Sequence, residues 1–416
     1  MWTKNRIASV IAAGAILGAA PVAAETFSGR GSAMAGAGVA GGDYTYSALI
    51  NPATATNFKE NDDFAFTFDF GVIANDVNDF VDAAEDLSDF LDEIEEVYAT
   101  QEDADYILEQ LELMDQGQLT LDAGAQLTIA LPNTLASGLF FVRESAFLAT
   151  DVQLADEDVE FLNTFGELYP TTGELPTNID DIDLGDIDID NLPDYEDGRI
   201  IDEDDLKTAA GTFGYRMQEI GVALAREFTF GGTLVSLGVT PKHQTVETFE
   251  YIEVIADFDS DDFEYEDYTR EDSNFNMDLG ATFHWGELQG GLAIRNALAQ
   301  EYKTLSGMKV QLDPQATAGL GYTGEVFTVL ADLDLNSVEA FDGAGETQIA
   351  RLGVEADLFD WAQLRIGYRH DLKDTYEGAF TAGIGFSPFD VVQFHLSAIQ
   401  ASDNTLGAAL QFGLEL

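Results

Sequence analysis

Gly36-Ala37-Gly38-Val39-Ala40-Gly41 fits the G-x-G-x-x-G spacing of a dinucleotide-binding loop. That chemistry needs a strand before the glycines and a helix after them, so that backbone N–H groups reach a pyrophosphate at the helix N-terminus. Here an apolar leader precedes the glycines, and Gly42, Asp43 and Tyr44 do not open a helix. The match belongs to a small-residue segment, and no nucleotide is expected. Asp186, Asp188 and Asp190 offer oxygen ligands of the kind calcium takes. An EF-hand loop anchored on Gly198 fails, because Pro193 and Tyr195 stand where two of its acids belong. These aspartates are either weak calcium ligands or part of a solvated acidic loop. His243, His284, His370 and His395 are scattered without metal-ligand spacing, and no cysteine is present for thiol or zinc-thiolate chemistry. No catalytic constellation stands out. The chain reads as a non-enzyme without a cofactor.

The elements that position these residues begin with an export signal. Lys4 and Arg6 precede an apolar stretch from Ile7 to Ala20, and Pro21-Val22-Ala23-Ala24 supplies a small-residue cleavage site. This is a secretory pattern, with cleavage expected after Ala24. The formal net charge is −59. Nucleic acid is excluded as a partner, since phosphates need Lys and Arg.

The body of the chain alternates apolar and polar residues with a period of two, the mark of strands with one apolar face. In the last segment Leu406, Ala408, Leu410, Phe412, Leu414 and Leu416 share one face. Fourteen such segments lie near 63–75, 118–131, 134–150, 208–228, 231–254, 272–286, 287–299, 308–323, 325–337, 346–359, 361–372, 376–387, 390–401 and 405–416. Most exceed the five or six residues usual in soluble proteins and match the roughly 9–11 of a tilted bilayer crossing. Long acidic connections alternate with short turns, and aromatics (Phe228, Phe230, Trp285, Tyr322, Phe359, Trp361, Phe386, Phe389) crowd the short-turn side. The fold class read from this is all-β: a transmembrane antiparallel β-barrel of about 14 strands, closed because lipid satisfies no backbone polar group. Residues 1–24 form the signal, 25–62 an internal hatch or plug, and 63–416 the barrel, with insertions at 76–117 and 151–207.

The predicted location is the bacterial outer membrane. Both termini would be periplasmic and the long acidic loops extracellular. The partners implied are outer-membrane lipid and the barrel-assembly machinery. The chain ends on Leu416 rather than an aromatic residue, which weakens the assembly signal. Asp122, Asp278, Asp332, Asp334, Arg351, Glu355, Arg365, Arg369 and His395 fall on the polar faces and are expected to point into the lumen, either as a selectivity lining or as internal ion pairs. A lumen this wide needs filling, and the plug residues Gly29, Arg30, Gly31, Met34, Gly36, Gly38, Asn51 and Pro52 are the candidates.

Two features interrupt the alternation. Val77, Phe80, Val81, Ala84, Leu87, Leu91, Ile94 and Val97 have helical spacing, as do Ile107, Leu111 and Met114. They predict an acidic helical hairpin in the first outer loop that caps the mouth, gathers a ligand or packs on its neighbours. In 208–228 the apolar face runs Phe213, Tyr215, Met217 and then Ile220, Val222, Leu224. This slip predicts a bulge near Gln218-Glu219.

The run from Arg30 to Ala40, with Asn51-Pro52-Ala53, resembles the N-terminal hatch of FadL-type hydrophobic-compound channels. "NPATATNFKENDDFAF", "LAIRNALAQEYKT" and "WAQLRIGYRHDL" are similar to segments of outer-membrane proteins described as TraF-like conjugal transfer proteins. The resemblance implies a plugged fourteen-stranded barrel, and in FadL-like channels a kinked strand opens a lateral exit. Without cysteine, the chain is not of the thioredoxin-like kind that shares the TraF name. Two functions follow as expectations. One is passive uptake of a hydrophobic or other small-molecule ligand. The other is a structural or partner-binding role in conjugal transfer or envelope assembly.

Overall fold

Fourteen strands pair in one closed antiparallel ring, each with its neighbours in the sequence and the last with the first. In this computed structural model the described residues are 27–59, 62–94, 99–168, 206–254, 265–339, 341, 345–359, 361–388, 391–401 and 405–416. The expected signal at 1–24 and the calcium candidates Asp186, Asp188 and Asp190 lie outside them, as does Phe389. The wall strands are β1 (Ala65–Val77), β2 (Gln118–Leu131), β3 (Ser137–Gln153), β4 (Ala209–Phe230), β5 (Thr233–Val254), β6 (Thr269–Trp285) and β7 (Leu288–Arg295). They continue as β8 (Gln315–Thr323), β9 (Phe327–Asp334), β10 (Ile349–Phe359), β11 (Ala362–Asp371), β12 (Ala379–Phe386), β13 (Val392–Gln400) and β14 (Thr405–Glu415).

Directly opposed residues share a face, so the register carries one inner and one outer set around the ring. Outside, Phe68 opposes Leu127 and Phe412, and Phe412 opposes Phe394. Phe68, Phe394 and Phe412 are exposed apolar side chains, as are Leu320, Ile366 and Phe380. Inside, Asp69 opposes Gln126 and Gln411, and Glu355 opposes Arg365. The outer aromatics stack at the short-turn end: Phe283 on Trp285 at 6.2 Å and Phe359 on Trp361 at 5.6 Å. The β4–β5 turn is Gly231-Gly232, both with positive φ, as a two-residue hairpin of matching twist requires.

Three expectations are corrected. No bulge interrupts β4: Gln218 and Glu219 stay in continuous register with Glu144 and Arg143 on β3 and with Thr245 and Gln244 on β5. The bulky apolar residues of β4 change sides without a change of register. Ile220, Val222 and Leu224 face outward, whereas Phe213, Tyr215 and Met217 face inward. The change falls at an outer ion pair, Arg216 to Glu144 at 3.1 Å, above which the outer face of β4 carries Gly214, Thr212 and Ala210. The register shift in this wall sits instead between Asp357 and Phe359. Second, 308–323 is not one strand. Lys309–Leu312 pairs with Gln300–Lys303 in a separate hairpin within the β7–β8 connection, and β8 starts at Gln315. Third, the chain is mostly rather than wholly β.

Among the described residues the α-helices are α1 (Gly29–Ala33), α2 (Phe80–Ile94), α3 (Gln101–Asp115) and α4 (Asp156–Leu168). α3 starts at a capping box in which Thr100 and Asp103 satisfy each other's backbone N–H groups. The apolar sides of α2, α3 and α4 (Leu87, Leu111, Phe161) share a core with Leu148, Val152, Ala210, Phe249 and Tyr251. Those wall residues are on the outer face, so the helical layer leans against the outside of the tall strands at the long-loop end. It does not lie across the mouth.

Residues 27–58 run along the inner face, and inward glycines of the wall make room for them. A Cβ on Gly291 would lie 2.1 Å from the Val39 carbonyl oxygen, and one on Gly238 would lie 2.4 Å from the Ala53 nitrogen. Gly319 meets Ala40, Gly353 meets Met34, and Gly367 meets Ala35 in the same way. Glycine weakens a strand and marks a close backbone approach.

Two outcomes are expected. Gly291→Ala should destabilise the barrel by about 1–3 kcal/mol through overpacking, read by denaturant unfolding. Ile366→Arg should cost about 2–4 kcal/mol in lipid vesicles if the outer face meets hydrocarbon, while Ile366→Ala costs far less.

Candidate functional site

The interior is built in three layers, starting at the short-turn end with residues 27–58. Ser28 caps α1 and donates its hydroxyl to Gln411 at 2.9 Å. Gly31 donates its N–H to the Ser28 hydroxyl. Arg30 is clamped between Asp43 at 2.9 Å and Glu355 at 2.7 Å. Burial pulls its guanidinium down, and the carboxylates outweigh that and hold it above its ordinary value. Glu355 also receives Arg365, whose Nη1 lies 3.0 Å from His395 Nδ1. A guanidinium only donates, so the Nδ1 that faces it accepts, and Nε2 lies 3.3 Å from the Gln393 side-chain oxygen.

Met34 packs with Ala37 against Leu330, and Gly36 has positive φ beside the Arg351 side chain. The backbone N–H groups of Gly38 and Val39 donate to one carboxylate oxygen of Asp332, at 2.8 and 3.0 Å. The glycine-spaced segment thus meets an acid of the wall. Asn51 caps the 3-10 turn Pro52–Thr56, accepting from Ala53, and its amide donates to Val39 and Ala281 carbonyls. Pro52 supplies the fixed φ that starts this turn.

The second layer is a belt of buried charge. Glu219 accepts from Arg143, from Lys242 at 3.0 Å and from Gln244 at 2.7 Å. Lys242 also reaches Asp278 at 3.0 Å. Across β8 to β10, Asp334 accepts from Gln315, Thr317 and Arg351 at 2.9, 2.8 and 3.0 Å, and Gln315 accepts from Arg295. Each carboxylate here has at least one donor, which offsets the cost of taking charge from water. Arg369 opposes Arg351 on β11.

The third layer, at the long-loop end, is apolar. Phe147, Tyr215, Met217 and Val246 form a cluster with Tyr302, Val310 and Leu312 of the 300–312 hairpin. Phe213 and Phe341 pack on it, with ring centroids 5.0 Å apart, and Phe341 lies 5.3 Å from Phe147. The hairpin is fastened to the wall by Thr248 to the Lys303 carbonyl at 3.1 Å and by Ser306 to Glu250 at 2.8 Å. Asp122 borders this layer, directly opposite Phe147. Sequence reasoning missed the cluster, although the phase switch in β4 was its signal. It also missed Arg143, Glu219, Lys242 and Arg295. Among the described residues no group of three or more His, Asp or Glu stands ready to hold a metal ion.

A family model described as "F plasmid transfer operon, TraF, protein" matches residues 48–334. The chain belongs to this TraF family. The matched span runs from the 3-10 turns of the inner segment through β9. None of the curated proteins compared matches the sequence. Among solved structures, the "TodX deltaS2S3 mutant monoaromatic hydrocarbon channel" is similar at 10% identity and a TM-score of 0.52, over 94% of this chain and 100% of that one. The Ralstonia pickettii toluene transporter TbuX is similar at 10% identity and a TM-score of 0.50, over 96% and 99%. These likenesses give the TraF-family chain the fold of FadL-family outer-membrane channels.

Glu355→Gln should leave Arg365 without a charged partner and Arg30 with Asp43 alone, and cost about 3–5 kcal/mol. Thermal unfolding checks the loss, and limited proteolysis should cut within residues 27–58 faster than in the parent.

Proposed function

We propose that the protein is a plugged outer-membrane channel that takes up hydrophobic compounds from outside the cell. The observation that carries this reading is the aromatic cluster: bulky apolar side chains turn inward at the long-loop end, above the belt of buried charge. Exposed apolar residues on the outer face supply the lipid contact. Residues 1–24 act as the export signal, both termini lie at the periplasmic rim, and the acidic loops face outside. Residues 27–58 are the hatch, held by wall glycines and by the Arg30–Glu355–Arg365 clamp. The FadL-type fold supports the reading, since its solved relatives are called hydrocarbon channels and a toluene transporter.

A second reading has its own support. The family description refers to a plasmid transfer operon, and the charge belt beneath the cluster closes the interior with ion pairs. A structural or partner-binding barrel of conjugal transfer would have this form.

Uptake into proteoliposomes separates the two. Vesicles carrying the protein should take up toluene faster than empty ones. Phe147→Glu, which buries a charge in the cluster, should lower the excess about tenfold or more. Equal uptake by loaded and empty vesicles would sink the channel reading and move the assembly role ahead.

A further inference from the structure

Asp122 stands apart from every other inward carboxylate of the upper barrel described above. Its Oδ1 is buried without a hydrogen-bond partner, and no ion pair of Asp122 is seen among the described residues. Glu219, Asp278 and Asp334, a few residues nearer the short-turn end, each have basic partners. The surroundings of Asp122 are apolar. It opposes Ile73 on β1 and Phe147 on β3, and Phe147 in turn opposes Tyr215 on β4. The Phe147 and Tyr215 rings are 6.2 Å apart, and the buried Tyr215 hydroxyl also has no partner.

A lone carboxylate in such a place costs free energy unless something pairs with it. The aromatic faces around it favour a cation as well. The loops at this end point the same way. Segments 76–117 and 151–206 carry 16 and 20 acidic residues and a single arginine between them. A field of that sign concentrates cations at the mouth and repels anions.

We propose that the aromatic cluster takes a hydrophobic amine, with the ammonium group against Asp122 and the hydrocarbon among Phe147, Phe213, Tyr215 and Phe341. The inference rests on reading the aromatic cluster as a ligand site, and it names the class of ligand. A fatty-acid anion would meet the same carboxylate with the wrong sign.

The test uses the full-length protein in detergent and three probes of one shape: 4-phenylbutylamine, neutral butylbenzene and 4-phenylbutyrate. Binding is read by calorimetry in 0.5 M salt, roughly the range where the screening length shrinks to a few ångströms and surface charge pairs are lost. The amine should bind about tenfold or more tighter than butylbenzene, and phenylbutyrate weakest. Asp122→Asn should bring the amine down to the butylbenzene value and leave butylbenzene itself unchanged, which also shows that the variant is folded. Amine and butylbenzene binding equally, with no effect of Asp122→Asn on either, would overturn the inference and leave the ligand site standing. No binding of any probe would overturn both the inference and the cluster as a ligand site.

Discussion

Closure of the sheet between β1 and β14 is the constraint from which the rest follows. Ala65 to Asn75 pair with Glu415 to Thr405, and the Leu416 N–H continues the ladder to the Phe64 carbonyl at 2.8 Å. With every strand paired on both sides, the backbone is satisfied without water, and the apolar outer face can be given to lipid. The same closure creates an interior too wide for the wall side chains to fill. The space is filled by residues 27–58 near the short turns, by charge pairs above them, and by aromatics at the other end.

Those fillings obey different physics. The lower layer depends on close backbone approach, possible because glycines face inward on β5, β7, β8, β10 and β11. The middle layer depends on exact matching of donors to carboxylates, since a buried charge without a partner is costly. The upper layer depends on rings brought in from a hairpin and from Phe341 as much as on the wall. The channel reading needs the lower and middle layers to yield, whereas the assembly reading is content with both as they stand. The discrimination between them therefore lies in the interior and not in the fold.

The ring itself was legible because period-two alternation survives in nearly every strand, and because turn lengths alternate between short and long. Legibility failed where an interior stops being polar. Phe213, Tyr215 and Met217 look like a lipid face to any reading that assumes inside means polar, so a bulge was inferred where the bulky residues only change sides. It failed again at 308–323, where the two residues Asp313-Pro314 divide a hairpin from a wall strand. The ion pairs were out of reach for another reason. Arg30 and Glu355 are 325 residues apart, and Arg143 and Glu219 are 76 apart. Alternation gives a side chain its face but not its height in the barrel, and the pairing depends on height. The inward glycines of the wall carry no signal by themselves, because their purpose is visible only when the backbone they admit is in place.

Phe27 and Ser28 tie the inner segment to the seam of the ring. The Phe27 ring lies against Gly71 of β1 and Gly124 of β2, while Ser28 is hydrogen-bonded to Gln411 of β14. The first described residues of the chain thus bridge the junction that the last strand must close. A strand cylinder that zipped shut while empty would have to admit this segment afterwards through a finished ring. The last strand of the ring thus meets the filled interior, through Gln411, as well as its neighbour β1.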